Sequence, residues 1–238
     1  MMNVFIPHYS PLKERRSAIL STCKNLNLNP ILITAFDRES LPPHYLMQSM
    51  NEYHWDRYIK KIIHILLTNA NMQIKRTGIP SWLKQRQLKP AEISLTYKHF
   101  IALSCIYASK EPGLVFEDDT LSHENSQLMI GQSLSFIKQG YDFVDLGGGC
   151  NLPSFASDTV INNFKSFVHT QPPRSRTTAA FAISPEAALL LSKDLFPLVL
   201  PLDWSFQYLF IKHSFNVAWS NPPALIHGSQ YNTDSSIQ

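Results

Sequence analysis

Leu114-Val115-Phe116-Glu117-Asp118-Asp119 decides how the rest of the chain is read: a short apolar run that ends in three adjacent acids. The apolar residues suit a buried strand, and Glu111-Pro112-Gly113 ahead of them is a turn signal. Three neighbouring carboxylates repel one another, so a fold that keeps them together needs positive charge beside them. A divalent cation supplies it, because Mg²⁺ and Mn²⁺ take carboxylate oxygens and leave positions open for phosphate. Acids at the carboxyl end of a strand also lie where open α/β sheets take their ligands. A solvated acidic turn after an edge strand is the alternative, and the stretch by itself does not separate the two.

Outward from this stretch, strands and helices alternate. Asn3 to Ile6 reads as a first strand, Pro11 to Leu26 as a helix and Pro30 to Ala35 as a second strand. Tyr53 to Thr68 carries Trp55, Ile59, Ile62, Ile63 and Leu66 at helical spacing. Pro90 to Ser109 is a long helix with proline at its first position, and Glu124 to Gln139 is another. Phe143 to Leu146 and Thr177 to Ser184 read as strands, with a helix from Pro185 to Ser192. This alternation predicts an α/β fold with a mostly parallel central sheet flanked by helices. With no internal repeat or linker, a single domain spans 1–230, including a basic helical insertion at 41–89; 231–238 reads as a flexible tail.

Composition sets the class. The chain has 238 residues, enough to bury a sizeable core, and 44% are apolar against 16% charged, which is globular usage. Cys23, Cys105 and Cys150 are odd in number and widely spaced, which argues against a disulfide framework or zinc site and for a reducing cytoplasm. Met1 to Pro7 lacks the basic start and long apolar centre of a signal peptide, and no apolar run approaches the roughly 18 residues of a membrane span.

A net charge of +3 is too small to imply nucleic acid, but its distribution is uneven. Between Trp55 and Phe100 nine Lys or Arg stand against two acids, and between Glu111 and Asp145 seven acids stand against one lysine. A basic segment beside an acidic one suits a metal and an anionic ligand held together. It equally suits a basic patch on anionic lipid, or two solvated faces.

Gly147-Gly148-Gly149 follows a strand, but Cys150-Asn151-Leu152-Pro153 starts no helix and the glycine spacing is wrong for a dinucleotide loop. These glycines either let the backbone approach a substrate or turn the chain. Among nine histidines, His64 and His213 read as core or rim residues of helices. His227 is delivered by Pro222-Pro223-Ala224-Leu225-Ile226 to a Gly228-Ser229 turn, as a late metal ligand or as a surface residue.

Several of these segments, in order, resemble glycosyltransferase family 25, the group of lipooligosaccharide galactosyltransferases related to collagen galactosyltransferases. The first strand followed by Lys13-Glu14-Arg15-Arg16 resembles the family's first strand and Glu-Arg-Arg helix start, and Ala35-Phe36-Asp37 its Ala-x-Asp segment. Lys89 to His99 is similar to its "Gly-Glu-x-Gly-Cys-x-x-Ser-His" helix, and Leu114 to Asp119 to its Leu-Ile-Leu-Glu-Asp-Asp motif. Arg176 to Ser184, with Ala187-Ala188-Leu189-Leu190, resembles its strand–helix unit, and Pro201-Leu202-Asp203 its Pro-x-Asp. The likeness leaves 41–88 uncovered, and two positions depart from it: Ser94 stands for a glycine and Lys98 for the serine before His99.

The resemblance implies a GT-A-type fold, Mn²⁺ (or Mg²⁺) as metal, and a UDP-sugar donor, with galactose transferred to a glycan or lipid-linked glycan acceptor in lipopolysaccharide biosynthesis. Within that frame Asp119 is the expected metal ligand. Glu117 belongs on the metal, a metal-bound water or the ribose, Asp118 fills either role, and His227 is the third protein ligand. Arg15 and Arg16, at a helix start, and Arg176 are expected to grip the nucleotide. Inverting transfer needs a carboxylate to deprotonate the acceptor. Asp203, beside Trp204, fits that role, or it caps the helix from Trp204 to Lys212.

Trp55 to Lys89 is expected to shape the acceptor side. It either touches anionic lipid at the inner face of the membrane or forms an ordinary core helix with a solvated loop. Two further readings use the same residues. A metal-dependent phosphoesterase or nuclease needs a second acidic cluster, for which Asp142 and Asp145 are the candidates. A non-catalytic relative would bind a glycan or a partner.

Overall fold

The computed structural model describes residues 1–42, 88–148, 155–161, 166–196, 198 and 200–228. The expected helix Tyr53 to Thr68, the basic segment to Lys89 (apart from its last two residues), Gly149-Cys150 and the tail lie outside the described residues.

The amino-terminal half opens with strand β1 (Met2–Pro7), helix α1 (Lys13–Asn25) and strand β2 (Leu28–Ile33). Helix α2 (Pro90–Ser109), strands β3 (Gly113–Phe116) and β4 (Thr120–Ser122) and helix α3 (Ser126–Lys138) follow. Next come strands β5 (Phe143–Asp145), β6 (Thr159–Val160), β7 (Phe167–His169) and β8 (Ala180–Ile183). Helices α4 (Pro185–Asp194) and α5 (Leu202–Lys212) and strands β9 (Val217–Ser220) and β10 (Leu225–His227) complete the described chain.

Eight strands form one sheet in the order β2-β1-β3-β8-β5-β9-β7-β6. β1 pairs in parallel with β2 and β3, and β5 with β9, while β8 and β7 pair antiparallel to their neighbours. Six of the eight strands therefore run the same way, which is the mostly parallel sheet expected. β4 and β10 form a separate antiparallel pair.

Side chains alternate across a strand, so each strand feeds two faces. Phe5, Val115, Phe143, Phe181, Ile183, Val217 and Trp219 pack on one side with residues of α2, α4 and α5, including Tyr97, Leu103, Leu191, Phe206 and Phe210. Val4, Ile6, Leu114, Phe116, Val144, Ala180, Ala182 and Ala218 pack on the other with Ile19 and Cys23 of α1 and Met129, Ile130 and Phe136 of α3. The result is helix, sheet and helix in three layers.

Local chemistry fixes the boundaries. Pro90 opens α2, where its missing N–H costs nothing, and the Glu92 carboxylate accepts a 2.8 Å hydrogen bond from the Lys89 N–H. Ser184 caps α4 by accepting from the Ala187 N–H at 3.1 Å. Gly113 is required where α2 crosses β3: a Cβ there would stand 2.2 Å from Ile106 Cγ1.

β2 begins and ends two residues before its expected bounds, because its register is set by β1, with Met2 opposite Leu28 and Pro7 opposite Ile33. Pro30 is tolerated because β2 is an edge strand. α5 starts at Leu202 with Pro201 ahead of it, so Asp203 lies in the first helical turn and is not the cap residue. His213 follows the end of α5 and bonds Asp194 at 2.8 Å, a rim position.

Candidate functional site

β3 ends at Phe116, and the next three residues are the acids. Their backbone is pinned: the Glu117 N–H donates to Ala179 O at 2.7 Å, and the Thr120 N–H donates to Glu117 O at 3.2 Å. β4 then leaves the main sheet and pairs with β10, placing His227 opposite Thr120, while the Gly228 N–H donates to Asp119 O at 2.9 Å. A residue about a hundred positions away is thus delivered to the acids by strand register.

His227 Nε2 lies 3.7 Å from Asp119 Oδ1 and 3.8 Å from Glu117 Oε2. One ligand atom from each of Glu117, Asp119 and His227 fits within a 4.8 Å span, and no other such three-residue cluster occurs among the described residues. Asp119 Oδ1 is buried and has no hydrogen-bond partner, an arrangement that costs roughly 1–3 kcal/mol unless something positive meets it. Two carboxylates and an imidazole are a donor set for Mn²⁺ or Mg²⁺ with room for phosphate oxygens. The residues fit the ion.

The charges agree. Burial pushes Asp119 up, and the neighbouring Glu117 carboxylate adds to it against the pull of His227 and Arg15. Burial acts the same way on Glu117, but His227, His99 and Thr178, whose hydroxyl donates to Glu117 Oε1 at 2.9 Å, outweigh it and hold Glu117 below its ordinary value. For His227 burial favours the neutral ring, but Glu117 and Asp119 override it and raise the imidazole. Asp119 and His227 are both shifted toward their protonated forms, a bias that a divalent cation would oppose.

Asp118 faces elsewhere. Its Oδ2 bonds His8 Nδ1 at 2.8 Å and its Oδ1 accepts from Arg15 at 3.2 Å, and Arg15 also reaches Asp119 at 3.6 Å. Burial raises Asp118, but His8 and Arg15 more than offset it and keep the carboxylate ionised. Adjacent residues thus face different partners: Glu117 and Asp119 cluster with His227, and Asp118 organises His8 and Arg15.

These residues line an open cleft together with Tyr9, Arg38, Ser94 and Lys98. Arg15 faces Asp118 and Asp119 in its wall, while Arg38 pairs with Glu39 and Lys98 with Asp37, so carboxylates are in excess and a divalent ion would offset them and admit an anionic ligand. Lys98 is buried, and its ammonium bonds the Asp37 carboxylate and the His8 carbonyl, tying the loops after β1 and β2 together.

Other expected residues are placed differently. Arg16 is exposed on α1 and does not line the cleft. Arg176 is tied to Asp145, through its backbone N–H at 2.5 Å and its Nε at 3.5 Å, and to Ser220 O at 2.9 Å. Asp203 stands near the acids without lining the cleft: burial raises it, with further increments from Glu117 and Glu92, against the backbone N–H groups that open α5. Asp145 is fully buried and takes the Gly147 N–H at 2.9 Å, and Asp142 takes the Asn216 N–H at 2.8 Å, so both serve loop geometry. Gly147 bridges Leu225 and packs closely against β8, where a Cβ would come 3.3 Å from Ala180 N.

No family model and no curated protein sequence matches the chain. Among solved structures it is similar to a crystal structure of apo UDP-glucose pyrophosphorylase, with a TM-score of 0.44 and 11% identity over 92% of this chain and 90% of that one. Among the described residues no helix is long and apolar enough to cross a membrane.

Proposed function

We propose that the chain is a metal-dependent glycosyltransferase of the GT-A type. In this reading it moves a hexose, galactose being the first candidate, from a UDP-sugar to a glycan acceptor such as lipooligosaccharide, with inversion. The carrying observation is Asp119 Oδ1, buried without a partner beside Glu117 and His227 at the edge of a cleft that holds Arg15 and Lys98. The family 25 resemblance supports the sugar chemistry.

A bound Mn²⁺ or Mg²⁺ would supply Lewis-acid stabilisation of the negative charge that grows on the departing UDP. Glu117, Asp119 and His227 would hold it. Arg15, tethered by Asp118, presents a fixed cation to the diphosphate next to that position. Asp203 is the base for the acceptor hydroxyl: its raised affinity for a proton brings it closer to the working pH, where general-base catalysis is most effective. The phosphoesterase reading needs a second acidic cluster, and Asp142 and Asp145 are committed to backbone groups.

A panel of UDP- and GDP-sugars with Mn²⁺, read by thermal shift and by nucleoside diphosphate release, tests the reading. A UDP-sugar should raise the melting temperature only with metal, and UDP should be released faster when a glycan acceptor is present. Metal-independent stabilisation, or hydrolysis of simple phosphodiesters to a phosphomonoester and an alcohol, would overturn it.

A further inference from the structure

His8 is an anomaly of this cleft that the ion site leaves unexplained. It follows the last residue of β1, is 1% exposed, and lines the cleft wall. Its backbone is locked from two sides, the N–H donating to Ile33 O at 3.0 Å and the carbonyl accepting from Lys98. Its ring is locked by Asp118 at Nδ1, and the Tyr9 N–H approaches the same carboxylate oxygen at 3.4 Å. Nε2, on the far edge of the ring from Asp118, is buried with no hydrogen-bond partner. A buried polar atom without a partner costs about 1–3 kcal/mol, and a ring clamped this firmly cannot turn to find one.

Asp118 Oδ2 accepts from Nδ1–H at 2.8 Å, and in the tautomer this contact selects Nε2 is a bare acceptor. The next cleft residue along the chain is Tyr9, whose ring centroid lies 4.5 Å from the Arg38 guanidinium and whose hydroxyl accepts from Arg38 Nε at 3.0 Å, so an aromatic ring and a guanidinium stand where a planar base could stack on either. Contacts join the cleft residues in sequence: Asp119 meets Arg15, Arg15 meets Asp118, and Asp118 meets His8 and the Tyr9 N–H. That is the order diphosphate, nucleoside.

We infer that His8 Nε2 accepts a hydrogen bond from a donor on the nucleoside of the bound nucleotide, either the imide N–H of a uracil-type base or a ribose hydroxyl, with Asp118 as the positioning residue. This rests on the nucleotide-sugar reading above. It gives the middle acid of the triplet a task distinct from its neighbours: Glu117 and Asp119 serve the ion, and Asp118 serves nucleoside selection through His8.

The test is calorimetric binding of UDP, CDP and 2′-deoxy-UDP, each with Mn²⁺, to the wild type, His8→Asn and His8→Gln. Asparagine keeps an N–H for Asp118 and deletes the Nε2 acceptor, whereas glutamine reaches the Nε2 position. Wild type should bind UDP roughly tenfold more tightly than one analogue, a factor equivalent to about 1.4 kcal/mol. Weak CDP identifies the imide as the donor, and weak 2′-deoxy-UDP the hydroxyl. His8→Asn should bind UDP no better than that analogue while keeping its melting temperature and Mn²⁺ affinity, and His8→Gln should regain part of the preference. Unchanged UDP affinity in His8→Asn, or equal losses for all three nucleotides, would overturn the inference and leave His8 a structural residue. Wild type that binds none of the three with Mn²⁺ would instead overturn the nucleotide-sugar reading and this inference with it.

Discussion

His227 faces Thr120 across the β4–β10 pair, and this register brings its imidazole within 3.7 Å of Asp119. A one-residue slip of either strand would turn His227 to the opposite face of the ribbon. The cluster of Glu117, Asp119 and His227 is therefore as secure as this short pairing, which the Gly228 N–H on Asp119 O extends.

Asp203→Asn should bind UDP-sugar with wild-type affinity and lose about a hundredfold or more in turnover, as expected for a lost general base. Steady-state kinetics with a glycan acceptor checks this. A fall in stability with turnover intact would assign Asp203 to the opening turn of α5 alone.

Lys98→Met should be strongly destabilising, by about 3 kcal/mol in urea unfolding, because it leaves the Asp37 carboxylate and the His8 carbonyl without their cation. Adding Asp37→Leu should recover part of the loss. Equal stability of wild type and Lys98→Met would show that the two loops hold together without the ion pair.

Asp118 predicts a pH dependence. Its carboxyl is held below the ordinary value in the folded chain, so its stabilising contribution is complete above the unfolded value, about 4, and is lost as pH falls through the folded value. Asp118→Asn should melt lower than wild type at pH 7, and the gap should close on acidification below about pH 4. A gap that stays constant with pH would place the contribution in packing.

Gly113→Ala should cost about 1–3 kcal/mol through overpacking against Ile106, and Ile106→Ala in the same chain should relieve part of it. Chemical unfolding of the single and double variants measures both effects.

The sequence made the strand-end acids, the α2 boundaries and His227 legible because each is a local signal: an apolar run ending in charge, a proline at a helix start, a histidine after a proline-rich turn. β9 and β10, of four and three residues, are too short to show alternation, and they exist because longer neighbours and turns hold them. His8 was overlooked for a related reason. A histidine after Pro7 looks like a loop residue until β1 and β3 lie side by side and Asp118 meets its ring. Lys98 was legible as a departure from a family pattern, but its partner Asp37 lies 61 residues away and only the fold joins them. Arg176, which the family resemblance sets on the nucleotide, also bonds the buried Asp145, a partner 31 residues away that only the fold joins to it.

In the proposed function Glu117, Asp119 and His227 hold a divalent ion through which the nucleotide binds. Calorimetric titration of UDP into wild type and Asp119→Asn, with and without Mn²⁺, tests it most directly. Wild type should bind UDP only with the metal, and Asp119→Asn should lose that binding while keeping its fold by circular dichroism. UDP affinity that is the same in both proteins, or the same with and without Mn²⁺, would contradict it.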